Sequence, residues 1–314
     1  MSNIQRSRIL GTGSFLPANI RTNADLEKMV ETSDQWIRDR TGISQRHIAD
    51  DDMTTSDMAA EAAKRAMEAA GIGPEDLDMI IVGTVTGDMP MPATAVYVQQ
   101  KIGASKCPAF DISAACAGFV YGVDIADKFI RTGAMKHILV IGVELLSRVI
   151  DWTDRSTCVL FGDGAGAAIL GPSDNEHGVL STCIHSDGSL ADSLKIPHGE
   201  KVQMLGRDIF KAAVKNLSSS SDAAVKAAGL THEDIDWIVP HQANTRIIDQ
   251  VAKRAKYPPE RVLSNIATVG NTSSASIPIL LDQSIRNGTI KEGDRVLITA
   301  LGAGVSWGAA VFLM

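Results

Sequence analysis

The chain has 314 residues, 45% of them hydrophobic and 21% charged, and a formal net charge of -7. This length holds two ordinary domains or one large α/β body, and the acidic balance argues against a general nucleic-acid binder. No stretch has the eighteen or more apolar residues of a membrane helix, and the opening MSNIQRSRILG lacks the pattern of a signal peptide. We therefore expect a cytoplasmic protein.

Four cysteines, at positions 107, 116, 158 and 183, form no CxxC pair and no Cys/His cluster at zinc-ligand spacing. A disulfide framework and a metal site are therefore not predicted. Each cysteine is either a small buried hydrophobe or a reactive thiol, and the two are distinguished by the neighbouring sequence.

Two segments of the chain repeat one pattern. Residues 69–80 and 227–238 are identical at seven of twelve positions, with an offset of 158 residues that is close to half the chain. In each copy an Ala-rich helix ends at a glycine, a short polar turn follows, and a β-branched run begins. We therefore expect two copies of one α/β unit, residues 1–171 and residues 172–314.

The central strands are predicted from apolar runs at residues 80–83, 138–143, 238–240 and 295–300. Apolar runs without alternation are typical of strands that are buried on both faces of a sheet. Both halves are therefore predicted to be mixed sheets covered by helices.

Cys116 lies among small residues, directly before a predicted helix over residues 117–130. The dipole and free N–H groups of a helix N-terminus favour the thiolate, so we expect a lowered pKa and a nucleophile that attacks thioesters. The alternative is a buried structural cysteine.

Two possible partners lie in the second half. His241 follows the strand over residues 238–240 at its C-terminal end, where open α/β sheets place their sites. Asn271 lies in a Gly/Ser-rich turn before a predicted helix over residues 277–285. Cys116 lies 47 residues past the start of its copy and Asn271 lies 44, so equivalent turns are expected to converge at one pseudo-twofold centre. Taken singly, His241 fits an ordinary hydrogen-bonded histidine and Asn271 a turn residue.

The last predicted strand runs into a glycine-rich turn over residues 301–308. Such a turn can aim a backbone N–H into a site, so Gly304 and Cys116 are candidates for an oxyanion hole. The alternative is a tight turn that needs a positive φ.

Together these motifs resemble those of the β-ketoacyl-acyl-carrier-protein synthase III family, among the thiolase-like condensing enzymes. The match spans nearly the whole chain and includes Thr41-Gly42-Ile43, Ala115-Cys116-Ala117-Gly118, Leu160-Phe161-Gly162-Asp163-Gly164-Ala165-Gly166, His241-Gln242-Ala243-Asn244, Gly270-Asn271-Thr272-Ser273 and the final glycine-rich turn. The resemblance implies a five-layered α/β/α/β/α body and a homodimer that pairs through an extended sheet.

For the activity, the resemblance implies a decarboxylative condensation that initiates fatty acid synthesis. Cys116 would accept the acyl group of an acyl-coenzyme A. His241 and Asn271 would then hydrogen-bond the thioester oxygen of malonyl-acyl carrier protein while carbon dioxide departs. The N–H groups of Cys116 and Gly304 would hold the tetrahedral oxyanion, and no metal or redox cofactor is required.

The resemblance also implies three sets of binding residues. Coenzyme A is assigned to Trp36, Arg40, Arg155, Phe210, Ala243 and Asn244, and the docking of an acidic carrier protein to Lys211, Arg246 and Lys253. Met91 stands at the acyl-pocket wall, where relatives often have a bulky aromatic residue, and would reach the pocket of a neighbouring subunit. As alternatives, Trp36 is a partly buried anchor and the charged residues are ordinary solvated side chains.

Other functions remain open from the sequence. A secondary-metabolism acyltransferase or starter-unit ketosynthase of the same family would share these motifs. A thiolase would need a second cysteine in the final turn, where Val305 and Ser306 stand, and an elongating synthase would have a second histidine in place of Asn271. The intact triad argues against a non-enzymatic acyl-binding subunit.

Overall fold

A computed structural model describes residues 6–314 of the chain. In these residues thirteen strands alternate with ten helices. The strands are β1 (Arg6–Phe15), β2 (Asn19–Thr22), β3 (Gln45–Ile48), β4 (Met79–Gly83), β5 (Ala109–Ile112), β6 (Ile138–Glu144), β7 (Gly164–Ser173), β8 (Gly178–Ser186), β9 (Leu194–Lys195), β10 (Gln203–Met204), β11 (Trp237–Pro240), β12 (Arg295–Gly302) and β13 (Ser306–Leu313). The helices are α1 (Asn23–Leu26), α2 (Asp34–Thr41), α3 (Thr55–Ala70), α4 (Thr94–Ile102), α5 (Gly118–Arg131), α6 (Arg155–Cys158), α7 (Gly206–Ala227), α8 (Thr245–Arg254), α9 (Ile266–Val269) and α10 (Ser276–Arg286).

The strands form two main sheets, one from each half of the chain. The first has the order β1-β7-β6-β4-β5, and the second has the order β11-β12-β13-β8. Each sheet is mixed: β4 is parallel to β5 and β6, and β11 is parallel to β12, whereas the other pairs are antiparallel. All residues of β4 and β6 are buried, which confirms the prediction of central strands covered on both faces.

The helices complete five layers. Helices α3 and α4 cover the outer face of the first sheet, and α7 with α8 covers the outer face of the second. Between the sheets lie α5, which contacts strands of both, and α10, which contacts the first sheet and β11. The predicted α/β/α/β/α arrangement is therefore the fold of this chain.

The repeat found in the sequence is a repeat in structure. Helices α3 and α7 each lead to a glycine in the left-handed region, Gly71 at φ 67° and Gly229 at φ 74°, because a helix terminated this way needs a residue without a Cβ atom. Short 3₁₀ turns then lead into β4 and β11. The boundary between residues 171 and 172 falls near the end of β7, and it stays a prediction.

No helix within residues 6–314 combines the length and the hydropathy needed to cross a bilayer.

Candidate active site

Two 3₁₀ turns, Ala115–Ala117 and Ser273–Ala275, pack against each other between the sheets. Each turn directly precedes a helix, α5 or α10, and contacts the sheet of the other half. Each holds a non-glycine residue at positive φ, Ala115 at 45° and Ser273 at 50°, which is a strained conformation typical of functional sites. These two residues are also 158 positions apart, so the turns are equivalent in the repeat. The fold therefore brings together the turn that carries Cys116 and the turn that follows Asn271.

Cys116 borders a cavity of about 760 Å³ between the two halves. Its side chain is 8% exposed, and the hydroxyl of Ser273 lies 3.3 Å from its Sγ. The cavity is also lined by Val85, Ser113, Leu146, Phe161, Val202, Ala303 and Gly304, among others. A thioester that enters this space can therefore reach the thiol.

The pKa of Cys116 is raised and not lowered, and here our expectation was wrong. Burial raises the pKa of the thiol to about 12, and the nearby carboxylate of Glu144 adds to this, although the Ser273 hydroxyl acts in the opposite direction. Helix α5 does begin directly after the turn, but desolvation of the sulfur is the largest influence on this pKa. The resting group is therefore a thiol, and its attack on a thioester requires a proton acceptor.

Glu144, the last residue of β6, lies below this turn and is fully buried. Burial raises the pKa of its carboxyl to about 7, although hydrogen bonds from Thr86, Val85 and Ser273 act to lower it. The hydroxyl of Ser273 lies 3.1 Å from Oε1 of Glu144. Ser273 therefore stands between the thiol and a buried carboxyl group.

His241 follows β11 as predicted and is 3% exposed. Burial lowers the pKa of the imidazole to about 3, so it is neutral at physiological pH. The hydroxyl of Ser276 lies 2.7 Å from Nδ1 and accepts the N–H of Gln242 at 3.3 Å. Because Nδ1 is the one acceptor for the Ser276 proton among the hydrogen bonds of the described residues, we assign the imidazole proton to Nε2. The ring is thus set to donate a hydrogen bond from Nε2.

Asn271 is held between the two halves by its backbone and side chain. Its N–H donates to Leu160 and its carbonyl oxygen accepts from Gly162, both at 3.0 Å. The side-chain Oδ1 accepts the N–H of Ser273 at 2.9 Å, which leaves the amide group as a donor. That amide lies 3.5 Å from the carbonyl oxygen of Ala243, at the limit of a hydrogen bond, and Asn271 is therefore close to the His241 segment.

Gly304 lines the same cavity as Cys116 and has φ 114°, so a glycine is needed here for conformational reasons also. Among the backbone hydrogen bonds in turns, loops and caps of residues 6–314, none has the N–H of Cys116 or of Gly304 as its donor. Both N–H groups are candidates to bind an oxygen atom, and that of Cys116 also interacts with its own Sγ. His241 and Asn271 do not line this cavity and are buried beside it.

A second group of predicted residues lies at the contact of α2 with α8. The guanidinium carbons of Arg40 and Arg155 each lie 4.8 Å from the ring centroid of Trp36, within the range of a cation–π interaction. Asn244 caps α8 through the N–H of Arg246, and its amide donates to the carbonyl oxygen of Arg40 at 2.9 Å. None of these side chains lines the cavity of Cys116.

The remaining predicted residues lie on the surface or near it. Lys211 on α7 and Arg246 and Lys253 on α8 are exposed on neighbouring helices, and Phe210 and Ala243 pack into the apolar cluster between them. Met91 is 83% exposed and does not border the cavity of its own chain. A single chain therefore does not place Met91 in the acyl pocket.

Three site residues were missed from the sequence: Ser273, Ser276 and Glu144. The first two lie in or next to the quoted Gly270-Asn271-Thr272-Ser273 motif. Glu144 had a usable signal, since it is a single acidic residue at the C-terminal end of an unbroken apolar strand, where α/β sheets carry their sites.

Two family models match this chain. The model described as 3-oxoacyl-[acyl-carrier-protein (ACP)] synthase III matches residues 110–188, which include Cys116 and Glu144, and the model of its C-terminal part matches residues 225–314, which include His241 and Asn271. The two matched regions are those that supply the converging turns.

Curated and solved relatives agree over the full length. The β-ketoacyl-[acyl-carrier-protein] synthase III of Xanthomonas campestris pv. campestris is 50% identical over 97% of each chain, and that of Caldanaerobacter subterraneus subsp. tengcongensis is 51% identical over 96% of each. The crystal structure of 3-oxoacyl-[acyl-carrier-protein] synthase III from Aquifex aeolicus superposes with a TM-score of 0.96 at 47% identity, covering 98% of this chain and all of the other. The chain therefore belongs to the β-ketoacyl-acyl-carrier-protein synthase III family of condensing acyltransferases.

Proposed function

We propose that this chain joins the acyl group of an acyl-coenzyme A to malonyl-acyl carrier protein through an acyl-Cys116 intermediate, and so initiates fatty acid synthesis. The observation that carries the proposal is the contact between the two equivalent turns. In this contact the hydroxyl of Ser273, which lies two positions after Asn271 in the chain, is next to Sγ of Cys116. The full-length identity to synthase III enzymes favours this reaction over transfer in secondary metabolism.

In the first half-reaction Sγ of Cys116 attacks the thioester carbon. The N–H groups of Cys116 and Gly304 stabilise the oxyanion that forms, as preorganised donors do without reorganisation. The thiolate of coenzyme A leaves with its electron pair, and the acyl group stays on the enzyme.

In the second half-reaction the malonyl thioester oxygen accepts hydrogen bonds from Nε2 of His241 and from the amide of Asn271. Both groups are neutral donors, the imidazole because burial lowers its pKa to about 3 and the carboxamide by nature. Loss of carbon dioxide leaves an enolate, whose carbon attacks the acyl-Cys116 and expels the Cys116 thiolate.

Coenzyme A is proposed to bind where α2 meets α8. Trp36 with Arg40 and Arg155 offers an aromatic face and two guanidinium groups, which suit an adenine ring and phosphates. Phe210, Ala243 and Asn244 are proposed to border the pantetheine path, and Lys211, Arg246 and Lys253 to receive the acidic carrier protein.

We also propose a homodimer. Met91 is 83% exposed, together with the partly exposed apolar residues Met89 and Val96, and a large exposed apolar side chain is explained if a second copy covers it. In that dimer Met91 would complete the acyl pocket of the neighbouring subunit. The four free cysteines are compatible with a cytoplasmic site of action.

Intact-protein mass spectrometry with a panel of acyl-coenzyme A donors tests the proposal. The expected result is one acyl adduct that Cys116→Ser abolishes and that malonyl-acyl carrier protein converts to a β-ketoacyl product. Cys183→Ser is the matched control, since Cys183 is also a free cysteine but lies on β8. An adduct that persists in Cys116→Ser, or one that malonyl-acyl carrier protein leaves unchanged, overturns the proposal.

A further inference from the structure

Glu144 is a buried acid that takes no part in the two half-reactions described above. Its Oε2 accepts hydrogen bonds from the hydroxyl of Thr86 at 2.5 Å, the N–H of Val85 at 3.1 Å and the hydroxyl of Thr84 at 3.3 Å. No lysine, arginine or histidine within residues 6–314 pairs with it. A buried carboxyl without a cation is costly, and such groups occur where a protein uses them.

The other carboxyl oxygen of Glu144, Oε1, is connected to the sulfur of Cys116 by one hydroxyl group, that of Ser273. Oγ of Ser273 lies 3.1 Å from Oε1 of Glu144 and 3.3 Å from Sγ of Cys116. A hydroxyl carries a single proton, so when Ser273 donates to Glu144 its oxygen is free to accept the thiol proton. The three groups then form one continuous path for a proton.

The conformation of Ser273 favours this task. Its φ of 50° is strained for a residue with a side chain, and its N–H is held by Oδ1 of Asn271 at 2.9 Å. The equivalent residue in the repeat is Ala115, which has the same conformation and no hydroxyl. The hydroxyl at position 273 is therefore not a requirement of the turn.

We propose that Ser273 and Glu144 form a proton relay for Cys116, in which Ser273 touches the reacting sulfur and Glu144 acts through Ser273. The relay rests on the proposed function, because it needs Cys116 to be the acyl acceptor. It answers the need for a proton acceptor at a thiol whose pKa is raised by burial.

Each step of the relay balances. When Sγ attacks the thioester carbon, the thiol proton moves to Oγ of Ser273 and the Ser273 proton moves to Oε1 of Glu144. The thiolate of coenzyme A leaves with the electron pair of the broken C–S bond and takes a proton from water. When condensation later expels Cys116 as a thiolate, the stored proton returns from Glu144 through Ser273.

The titratable groups on the elements that meet here are Cys116, Glu144 on β6 and His241 after β11. The cavity that Cys116 borders is also lined by charged or titratable side chains, namely Arg148, Lys195, His198, Glu200 and Lys201. His241 stays neutral above pH about 3, and the thiol stays protonated below pH about 12. Among Cys116, Glu144 and His241, Glu144 is the group that changes charge near neutral pH, because burial raises its pKa to about 7. We expect the acylation rate to rise with pH through this value, because only the carboxylate can accept the proton.

The test is single-turnover acylation of the full chain by acetyl-coenzyme A and by a longer acyl-coenzyme A, followed by mass spectrometry from pH 5.5 to 9. Glu144→Gln and Ser273→Ala are each expected to slow acylation at pH 7 by about a hundredfold to ten-thousandfold, the usual range for general acid–base groups. In both variants the inflection near pH 7 is expected to disappear. Glu144→Asp keeps a carboxyl group and is expected to retain the inflection.

Three outcomes separate this relay from the proposed function. A wild-type rate and pH profile in a folded Glu144→Gln or Ser273→Ala variant overturns the relay and leaves the proposed function intact. Slow acylation with an unchanged inflection also overturns it, because a merely structural role would lower the rate without moving the pH profile. No adduct on Cys116 in the wild-type chain overturns the proposed function itself.

Discussion

The hydroxyl of Ser276 lies 2.7 Å from Nδ1 of His241. Among the hydrogen bonds of the described residues Nδ1 is the one acceptor for the Ser276 proton, so we assign the imidazole proton to Nε2. This tautomer is the one that can donate to a thioester oxygen, whereas the other would present a lone pair. Ser276, the first residue of α10, thus fixes which ring nitrogen of His241 donates a hydrogen bond.

Ser276→Ala is expected to slow condensation about ten- to hundredfold and to leave acylation of Cys116 nearly unchanged, because it frees the imidazole to adopt the wrong tautomer. The two half-reactions are measured separately, by carbon dioxide release and by adduct formation. Ser221→Ala, which removes a buried hydroxyl bonded to a helix carbonyl in α7, is the matched control. Equal slowing of both half-reactions would contradict the assignment.

Trp36→Ala is expected to raise KM for acyl-coenzyme A by about ten- to hundredfold with little change in kcat, because it removes the aromatic face that we propose for stacking of adenine. KM for malonyl-acyl carrier protein should stay constant. Trp152→Ala is a matched control, since Arg21 stacks on Trp152 at 4.1 Å in the same apolar cluster. A similar change in KM for both tryptophan variants would show a general loss of structure instead of a lost binding surface.

Arg246→Glu combined with Lys253→Glu is expected to raise KM for malonyl-acyl carrier protein at least tenfold and to leave acylation by acyl-coenzyme A unaffected. Both side chains are exposed on α8, so their exchange changes the charge of that face with little effect on folding. Steady-state kinetics at low and high salt measure the effect, which should shrink as salt screens it. Lys64→Glu on α3 serves as the control, and an equal rise in KM for this variant would contradict the proposal that the carrier protein docks on α8.

The sequence was informative where the decisive pattern is local. Apolar runs placed β4, β6, β11 and β12 within one or two residues, and helices α5 and α10 begin and end within one residue of their predicted limits. The contact of the two turns also followed from the repeat, because equivalent segments of a duplicated unit occupy equivalent positions.

The missed features depend on contacts between distant parts of the chain. Ser273 and Glu144 are 129 residues apart in the chain, and the local sequence around either residue does not indicate that they are in contact. The pKa of Cys116 was misjudged because the helix that follows it is visible in the sequence, whereas the burial that dominates arises only when the halves close around it. The coenzyme A, carrier-protein and Met91 assignments stay predictions, since they concern molecules that bind outside this chain.

Gly302→Ala is expected to impair acylation strongly and to lower the free energy of unfolding by about 1–3 kcal/mol. A Cβ atom at position 302 would lie 2.6 Å from the backbone nitrogen of Cys116 and 2.8 Å from the carbonyl oxygen of Ala114. Both are backbone atoms, so the Ala115–Ala117 turn that carries Cys116 would have to shift. Gly188→Ala, where a Cβ meets nothing within 4 Å, is the control and should match the wild type in adduct formation and in urea denaturation.

The free energy of unfolding is expected to depend on pH through Glu144 and His241 in opposite directions. Burial raises the pKa of Glu144 from its ordinary 4.5 to about 7, so the folded chain binds the extra proton and this contribution is lost as pH rises between these values. Burial lowers the pKa of His241 from 6.5 to about 3, so the unfolded chain binds the extra proton and stability is lost as pH falls through that range. Between pH 4.5 and 6.5 the two contributions oppose each other.

Glu144→Gln should therefore expose the contribution of His241. In urea denaturation at pH 4.5, 5.5 and 6.5, we expect the free energy of unfolding of this variant to rise with pH more steeply than that of the wild type, by up to about 1.4 kcal/mol per pH unit. Adding His241→Gln should remove the extra slope, because neither side chain then titrates. If the free energy of unfolding has the same pH slope in the wild type and in Glu144→Gln, Glu144 is already ionised between pH 4.5 and 6.5. Burial would then not raise the pKa of its carboxyl group.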